Sequence, residues 1–328
     1  MPSPAPAIAE IRLAVRTALA RLPEGTTVVV ALSGGADSLA LAAAAAFEGP
    51  RLGLRVASLT VDHGLQSDSD EVAKRVQRTA TALGLEARTV RVAVEADGGP
   101  EAAARDARYA ALRAAASDLH GSAVLLGHTL DDQAETVLLG LARGSGAASL
   151  QAMAPERVDD AGVRWLRPLL SVRRETTRAF CAASDLDPWD DPHNLDDRFR
   201  RVRVRQRVLP VLEAELGPGI AEALARTAEQ LREDAEAFDE IIHETIEDIV
   251  EHAEAGISVS VAALAANPAA LRNRIIRVVV DSEFGASLTR TQTVELARLV
   301  TDWAGQGPID LPGCSAVRRG GRIVFTAR

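Results

Sequence analysis

The chain has 328 residues, of which 47% are hydrophobic and 25% charged, and its formal net charge at pH 7 is -9. This composition indicates folded globular protein with room for two domains and excludes a fibrous or largely disordered chain. The acidic balance excludes a protein that coats nucleic acid indiscriminately, and the only two cysteines, Cys181 and Cys314, exclude a disulfide framework and a cysteine-rich zinc site.

Strands and helices alternate in the first half of the chain. Thr26 to Ser33 is β-branched and apolar and ends at a glycine pair, as a buried parallel strand does where it enters a tight turn. The further strands predicted here are 54–62, 87–94 and 122–129, and the helices start at 37 and cover 70–83, 100–118 and 130–142. This alternation predicts an α/β fold with a doubly wound, mainly parallel sheet covered on both faces.

The pattern changes after about residue 150. We predict a short strand at 163–170, a helix at 172–184, a polar segment at 185–197, an arginine-rich helix, a long helix at 219–255 and a terminal hairpin at 308–328 around Gly320-Gly321. The domains expected are 1–215, with a leading tail and helix at 1–24, and 216–328, a smaller and mostly helical accessory domain.

The chain offers no candidate for membrane insertion. Its apolar run at 39–47 is about half of the roughly 20 residues that a spanning helix needs, and no charged leader precedes an apolar signal core. We therefore expect a cytoplasmic protein with no membrane partner.

Three turns should meet at one edge of the sheet. The loop after Ser33, the turn Asp62-His63-Gly64 and the turn Gly127-His128-Thr129 each follow a predicted strand. Ligands of such sheets bind beyond the carboxyl ends of the strands, so these turns are the predicted nucleotide site.

The loop Ser33-Gly34-Gly35-Ala36-Asp37-Ser38 joins a strand to a helix and so presents backbone N–H groups and a positive helix end to an anion. It lacks the lysine of the familiar phosphate loop, and the only lysine of the chain is Lys74. A carboxylate at Asp37 can balance phosphate charge through a divalent metal. The loop therefore predicts a pyrophosphate cradle with Mg²⁺, suited to cleavage of ATP between its α and β phosphates.

Further motifs occur in a fixed order along the chain. They are Val61-Asp-His-Gly-Leu65, Glu101-Ala-Ala-Ala-Arg-Asp-Ala-Arg-Tyr109, Leu130-Asp-Asp-Gln-Ala-Glu-Thr136, Arg143-Gly-Ser-Gly146, Arg167-Pro-Leu-Leu170 and Asp190-Asp-Pro-His-Asn-Leu-Asp-Asp197. With the glycine loop, which resembles the PP-loop of the N-type ATP pyrophosphatases, this order resembles the tRNA(Ile)-lysidine synthetases over residues 25 to 215.

The resemblance implies an adenine nucleotide alpha-hydrolase-like fold and an ATP-dependent ligase. ATP would adenylate C2 of the wobble cytidine of a CAU-anticodon tRNA(Ile), and free L-lysine would then replace AMP to form lysidine, which pairs with A. It also places ATP against the glycine loop, Asp62, His63, Gly127 and His128, with the two histidines as lining residues.

The acids of this chain supply candidates for metal and amine binding. Asp37 and Asp131 are the predicted metal ligands, whereas Asp132 and Glu135 are predicted to bind the amine of lysine and to accept its proton. The sequence alone does not separate these roles among Asp131, Asp132 and Glu135, and helix capping is the competing interpretation.

Two groups of arginines complete the predicted site. The resemblance assigns Arg105 and Arg108 to the lysine and tRNA face, and Arg105 could also steady the adenylate phosphate. Residues 198–207 hold six arginines, among which Arg198, Arg201, Arg203 and Arg205 are predicted to contact tRNA phosphates; a solvated basic face is the alternative.

In this part of the chain the sequence departs from the pattern of the family that it resembles. The family commonly has serine or threonine at the position of His193, and an Arg-Asn pair where this chain has Arg201-Val202.

Two other functions remain open at this point. An ammonia-using ATP pyrophosphatase of the GMP or NAD synthase type would need no arginine-rich segment, and a nucleotide-sensing module would release no AMP. The acids at 131, 132 and 135 argue against the sensor, since they would weaken anion binding without a metal or a cationic substrate. The sequence leaves the oligomeric state open, with a homodimer as one prediction.

Overall fold

The computed structural model describes residues 4–64, 69–92, 100–119, 123–144, 146–253 and 256–328. It divides into two compact units, Met1–Arg232 and Glu233–Arg328. The predicted domain boundary between residues 215 and 216 stays a prediction. Several predicted positions, namely Leu65, 93–94, Ser122, Ser145 and 254–255, lie outside the described residues, as does the side chain of His193.

A twisted sheet forms the centre of the first unit. Within the described residues its strands are β1 Thr27–Ala31, β2 Arg55–Asp62, β3 Glu86–Arg91, β4 Ala123–Leu125, β5 Glu156–Val158 and β6 Arg164–Leu166, in the order β3-β2-β1-β4-β6-β5. All neighbours are parallel except β5, which pairs antiparallel with β6 at one edge. The predicted α/β fold with a mainly parallel sheet is therefore confirmed.

Helices cover both faces of this sheet. The helices that lie wholly in the described part of this unit are α1 Pro6–Leu19, α2 Ala36–Glu48, α3 Ser69–Ala82, α4 Pro100–Asp118, α5 Leu130–Ala142, α6 Ala147–Leu150, α7 Arg174–Ala183, α8 Arg200–Arg203 and α9 Leu209–Leu216. On one face a buried cluster joins Leu19, Val30, Leu41 and Phe180, and on the other face a second cluster surrounds Trp165. Burial of these apolar side chains on both faces explains why the central strands β1 and β4 are almost uniformly apolar.

The sixth strand is shorter than the predicted 163–170. It ends at Leu166, because Pro168 has no N–H for a ladder bond and residues 167–172 close instead through turns such as Val172 N–H to Leu169 O. The three-residue β5 was not predicted.

The second unit contains more strand than the predicted mostly helical domain. Its elements include the end of α10 Ile220–Ile249 and also β7 Val250–Ala253, β8 Gly256–Ser260, α11 Val261–Ala266, α12 Ala269–Phe284, α13 Arg290–Thr301, β9 Ile309–Leu311, β10 Cys314–Arg319 and β11 Arg322–Ala327. The strands form an antiparallel sheet in the order β7-β8-β11-β10-β9, so the predicted hairpin at Gly320-Gly321 is confirmed. The predicted helix to 255 is wrong at its end, since Val250 pairs with Val259 in the sheet.

No helix among the described residues is both long and apolar enough to cross a membrane.

Candidate active site

The glycine loop between β1 and α2 is held in one tight conformation. Gly34 has a φ of 89°, and a Cβ added there would lie 2.5 Å from Cγ2 of Val76. The Ser38 hydroxyl donates to Gly35 O at 3.0 Å and accepts from Ser33 N–H at 3.2 Å, so it closes the loop on itself. The loop therefore requires glycine at position 34 for two reasons, its left-handed conformation and the missing space.

A cavity of about 830 Å³ opens at the carboxyl edge of the sheet. It is lined by most of the residues predicted to bind ATP: Ser33, Gly35, Ala36, Asp37, Ser38, Asp62, His63, Gly127 and His128. Gly34 belongs to the same loop. The size is typical of small-molecule sites, and the structure thus brings the three predicted turns together around one space.

The turns after β2 and β4 fit closely to the loop. A Cβ on Gly127 would lie 3.2 Å from the backbone of Asp37, a tight contact, so glycine favours the close approach of this turn to the start of α2. The buried Asp62 accepts a bond from Gly64 N–H at 2.8 Å. Burial alone would raise the pKa of Asp62, but this N–H, a hydroxyl donor and Arg91 lower it, so the turn holds a carboxylate.

Two histidines face the cavity in their neutral form. Burial lowers the pKa of His63, helped by the nearby Arg108, and burial lowers the pKa of His128 to about 3. The Nδ1 atoms of both rings are buried without a hydrogen-bond partner among the described residues. A neutral ring with a free nitrogen suits contact with an uncharged part of a ligand, which agrees with their prediction as lining residues.

Helix α7 holds the loop aspartate. The Thr177 hydroxyl donates to Asp37 Oδ1 at 2.5 Å, and Arg174 Nε lies 3.4 Å from Asp37 Oδ2. Burial raises the pKa of Asp37, and the nearby Asp132 adds to this shift, while Thr177 and Arg174 oppose it. Asp37 is therefore a carboxyl group that gains from an additional cation.

Asp132 and Glu135 of α5 form an acid pair around two guanidinium groups. Arg174 donates to Asp132 Oδ1 at 2.8 Å and to Glu135 Oε1 at 3.1 Å, and Arg205 donates to Glu135 Oε1 at 2.7 Å. Asp132 also accepts from Thr129 N–H at 2.8 Å, which closes a capping box at the start of α5. Burial alone would raise the pKa of Asp132, but Arg174 and this N–H lower it, so Asp132 is ionised.

Asp131 has a different environment from the other two acids. Its Oδ2 accepts from the backbone N–H of Arg174 at 2.8 Å, and its Oδ1 lies 3.2 Å from the guanidinium of Arg173. It therefore caps the N-terminus of α7. The acids that share the Arg174 guanidinium with Asp37 are Asp132 and Glu135, whereas the side chain of Asp131 pairs with Arg173. The predicted metal pair of Asp37 and Asp131 stays a prediction.

The predicted arginines divide into two groups. Arg105 is exposed and stacks on Tyr109, with its guanidinium 5.1 Å from the ring centre, whereas Arg108 is half-buried and lines the cavity.

Of the arginine-rich segment, Arg201 and Arg205 point to Glu135. The remaining two stay on their own segment, where Arg198 pairs with Asp196 and Arg203 donates to main-chain carbonyls.

Two residues of this site, Arg174 and Thr177, were not among the predicted residues. Their partner Asp37 lies 137 and 140 residues away in the chain. The nearest signal is the motif at 167–170, which ends four residues before Arg174, but nothing in one sequence says that the following helix turns toward the glycine loop.

The donor set fits one Mg²⁺ ion bound together with a nucleotide. No group of three or more His, Cys, Asp or Glu side chains in the described ranges could hold a metal ion alone. Mg²⁺ is usually bound through one or two carboxylates plus substrate phosphates, and Asp37 lies at the loop that would cradle those phosphates.

Comparison with known proteins agrees with this geometry. The model of a PP-loop domain family matches residues 10–212, and that of the TilS substrate binding domain matches residues 260–324. A tRNA(Ile)-lysidine synthase of Leifsonia xyli is 59% identical over 93% of this chain and 91% of its own length, and one of Thermobifida fusca is 49% identical over the whole of both. Among solved structures, the U34-tRNA thiolase NcsA of Methanococcus maripaludis shares the fold, with a TM-score of 0.59 at 20% identity over 69% of this chain and 80% of its own.

Proposed function

The chain belongs to the tRNA(Ile)-lysidine synthase family, and from this premise we propose that it joins free L-lysine to C2 of the wobble cytidine of a CAU-anticodon tRNA(Ile). It is an ATP-dependent ligase that forms lysidine in tRNA(Ile), with ATP as substrate and Mg²⁺ as the accompanying ion. The ammonia-using alternative is thereby set aside. The observation that best supports the finer proposal is the cavity that brings the glycine loop, the neutral histidines and Asp132 together, with Arg174 and Arg205 also in its lining.

The first step needs an anion cradle and a neutralised leaving group. The C2 oxygen of cytidine attacks the α phosphorus of ATP, and diphosphate leaves. We assign the cradle to the loop 33–38, whose backbone N–H groups and helix end face phosphate, and the Mg²⁺ contact to Asp37. The ion would neutralise charge on the leaving diphosphate.

The second step needs a seat for a cationic amine. The lysine amine attacks C2, its nitrogen loses a proton, and AMP leaves with the former C2 oxygen. Asp132 and Glu135 are the proposed seat because Asp132 lines the cavity and both acids already bind guanidinium groups. Whether either one also takes the proton stays a prediction, as does a role for Arg105 and Arg108 at the phosphate or lysine.

The cysteine beside the loop does not suit sulfur transfer. Cys181 is fully buried, its Sγ lies 3.5 Å from Ala36 O, and burial raises the pKa of its thiol to about 11. A thiol with such a pKa stays protonated at neutral pH and is a poor nucleophile. Cys181 therefore does not serve as the nucleophile of a sulfur transfer.

The exposed arginines are the proposed RNA contacts. Arg198 is 82% exposed and Arg207 is 64% exposed, and their ion pairs with Asp196 and Asp197 lie at the surface, where such pairs contribute little and exchange readily for phosphate. A homodimer and a cytoplasmic location stay predictions, which sedimentation and fractionation can test.

Nucleoside mass spectrometry tests the proposed reaction directly. An unmodified tRNA(Ile) transcript with a CAU anticodon is incubated with ATP, Mg²⁺, L-lysine and the protein, and its nucleosides are analysed. We expect the mass of lysidine in place of one cytidine and one AMP released per lysidine. An unchanged cytidine, or AMP release that needs neither tRNA nor lysine, would contradict the proposal.

A further inference from the structure

The proposed lysine seat is already filled by side chains of the protein itself. Arg205 donates to both oxygens of Glu135, at 2.7 and 3.1 Å, and lies 3.6 Å from Asp132 Oδ1. Arg174 contacts Asp37, Asp132 and Glu135. With Arg201 at 3.7 Å from Glu135, three guanidinium groups balance three acids.

Such a balance opposes entry of another cation. Glu135 is fully buried, and removing its partners would leave a buried carboxylate uncompensated, which is strongly unfavourable. A lysine ammonium has the same charge and donors as a guanidinium. It can bind only where one guanidinium leaves, so binding must be an exchange of one cation for another.

Arg174 is poorly placed to leave. Its side chain is 16% exposed, it contacts three acids at once, and its own backbone N–H is fixed by Asp131. Asp132 and Glu135 raise its pKa although burial would lower it, so it stays charged. Its departure would also release Asp37.

Arg205 is better placed to leave. Its side chain is 27% exposed, and when it moves Glu135 still keeps Arg174. It belongs to the arginine-rich segment that offers Arg198 and Arg207 to phosphate, and it lies in a π-helical turn at Val204–Val208. Such turns occur inside α-helices and often lie at functional sites.

We propose that Arg205 occupies the amine seat in place of the substrate lysine and leaves it for an RNA phosphate, so that lysine binds tightly only after tRNA. This inference rests on the proposed function, because it takes Asp132 and Glu135 as the lysine site. RNA can favour the state in which Arg205 has left Glu135 only if RNA binds that state more tightly than the other. A contact between Arg205 and an RNA phosphate supplies this difference in affinity. The order would admit lysine only when the cytidine that it attacks is present.

Calorimetric titration of L-lysine into the full chain tests this order. The protein is saturated with Mg²⁺ and α,β-methylene-ATP, which is not cleaved at the α phosphate, and is titrated with and without an anticodon stem-loop RNA bearing CAU. The variants are Arg205→Gln and, as control, Arg88→Gln, which removes a partly exposed arginine that pairs with Glu86 on β3, outside both the acid pair and the arginine-rich segment. Circular dichroism checks that each variant is folded.

For the wild type we expect RNA to tighten lysine binding about tenfold or more, within the usual range of coupling between sites. Arg205→Gln should bind lysine without RNA as tightly as the wild type with RNA, and Arg88→Gln should behave as the wild type. Wild-type affinity that does not change with RNA would overturn the inference while leaving the lysine site intact, and this comparison needs no variant. Weaker binding by folded Arg205→Gln would also overturn it, since Arg205 would then be a lysine contact. Absence of lysine binding in every form would overturn the proposed lysine site and the inference together.

Discussion

The Thr177 hydroxyl donates a hydrogen bond of 2.5 Å to Asp37 Oδ1, which joins the first turn of α7 to the first turn of α2 across 140 residues of chain. Thr177 is fully buried, and its hydroxyl is a donor toward a carboxylate that Arg174 touches only at 3.4 Å. Thr177 thus fixes the orientation of the aspartate proposed to contact Mg²⁺ and counters the rise in its pKa.

Thr177→Val should raise the Mg²⁺ requirement of the enzyme. The change keeps the shape and removes a hydrogen bond to a charged group, which contributes about 1.5 to 3 kcal/mol, so we expect a shift of about tenfold or more. Mg²⁺ titrations of AMP formation and of Mn²⁺ binding by electron paramagnetic resonance measure it. Thr177→Ser keeps the hydroxyl and should retain the wild-type Mg²⁺ requirement. Equal Mg²⁺ requirements in the Thr177→Val and Thr177→Ser variants would mean that the Thr177 side chain only packs against its neighbours.

Gly34→Ala should destabilise the protein through contact as well as backbone strain. Gly25 has a similar φ of 82° with nothing near its Cβ position, whereas a Cβ at Gly34 meets Val76 at 2.5 Å. Positive φ costs an alanine roughly 1 to 2 kcal/mol, and overpacking adds about 1 to 3 kcal/mol. Urea unfolding should therefore show a larger loss for Gly34→Ala than for Gly25→Ala.

Adding Val76→Ala provides the check on that reason. It should return part of the stability lost by Gly34→Ala, although alone it lowers stability, because only this pair couples through the contact. Strict additivity of the two changes would show that strain, and not contact with Val76, limits position 34.

Glu135→Gln and Asp131→Asn separate the acids that the sequence could not. Glu135 faces the guanidinium groups of the proposed lysine seat, so Glu135→Gln should raise the KM for lysine by tenfold or more, as expected for a lost charged hydrogen bond of about 1.5 kcal/mol. Asp131 caps α7, so Asp131→Asn should lower the melting temperature with little change in that KM. A raised Mg²⁺ requirement in Asp131→Asn with unchanged stability would instead support Asp131 as a metal ligand.

The sequence predicted the parts of the site that depend on local order. The glycine loop and the turns at 62–64 and 127–129 follow apolar strands, and a parallel sheet brings strand ends to one edge, so their meeting around one cavity could be predicted. The start of α5 was also local, since Thr129 and Asp132 form a capping box within one turn.

The ion pairs between the arginines and the acids of the site join residues that lie far apart in the sequence. Arg174 is one of many arginines, and its selection by three acids from two other helices depends on how α7 packs against the loop. In the same way, Arg201 and Arg205 read as surface residues of a basic segment, but the helix turns them inward to Glu135. Side-chain direction on a helix follows from tertiary packing, which a single sequence does not specify.

Asp159→Asn should lower stability at neutral pH and lose this effect in acid. Asp159 accepts from Arg113 at 2.8 Å, from the Trp165 indole at 3.0 Å and from Val163 N–H at 3.0 Å. Although burial alone would raise the pKa of Asp159, these donors lower it to about 2. The pKa in the unfolded chain is about 3.9, so the carboxylate stabilises the fold above that pH and the contribution is lost as the pH falls toward 2.

Urea unfolding at pH 7 should show a loss of about 2 kcal/mol for Asp159→Asn, and the stabilities of the wild type and the variant should converge as the pH approaches 2. The exposed neighbour Asp160→Asn serves as control; a difference between wild type and Asp159→Asn that stays constant from pH 7 to 2 would show that packing, and not the ionised carboxylate, stabilises this corner of the sheet.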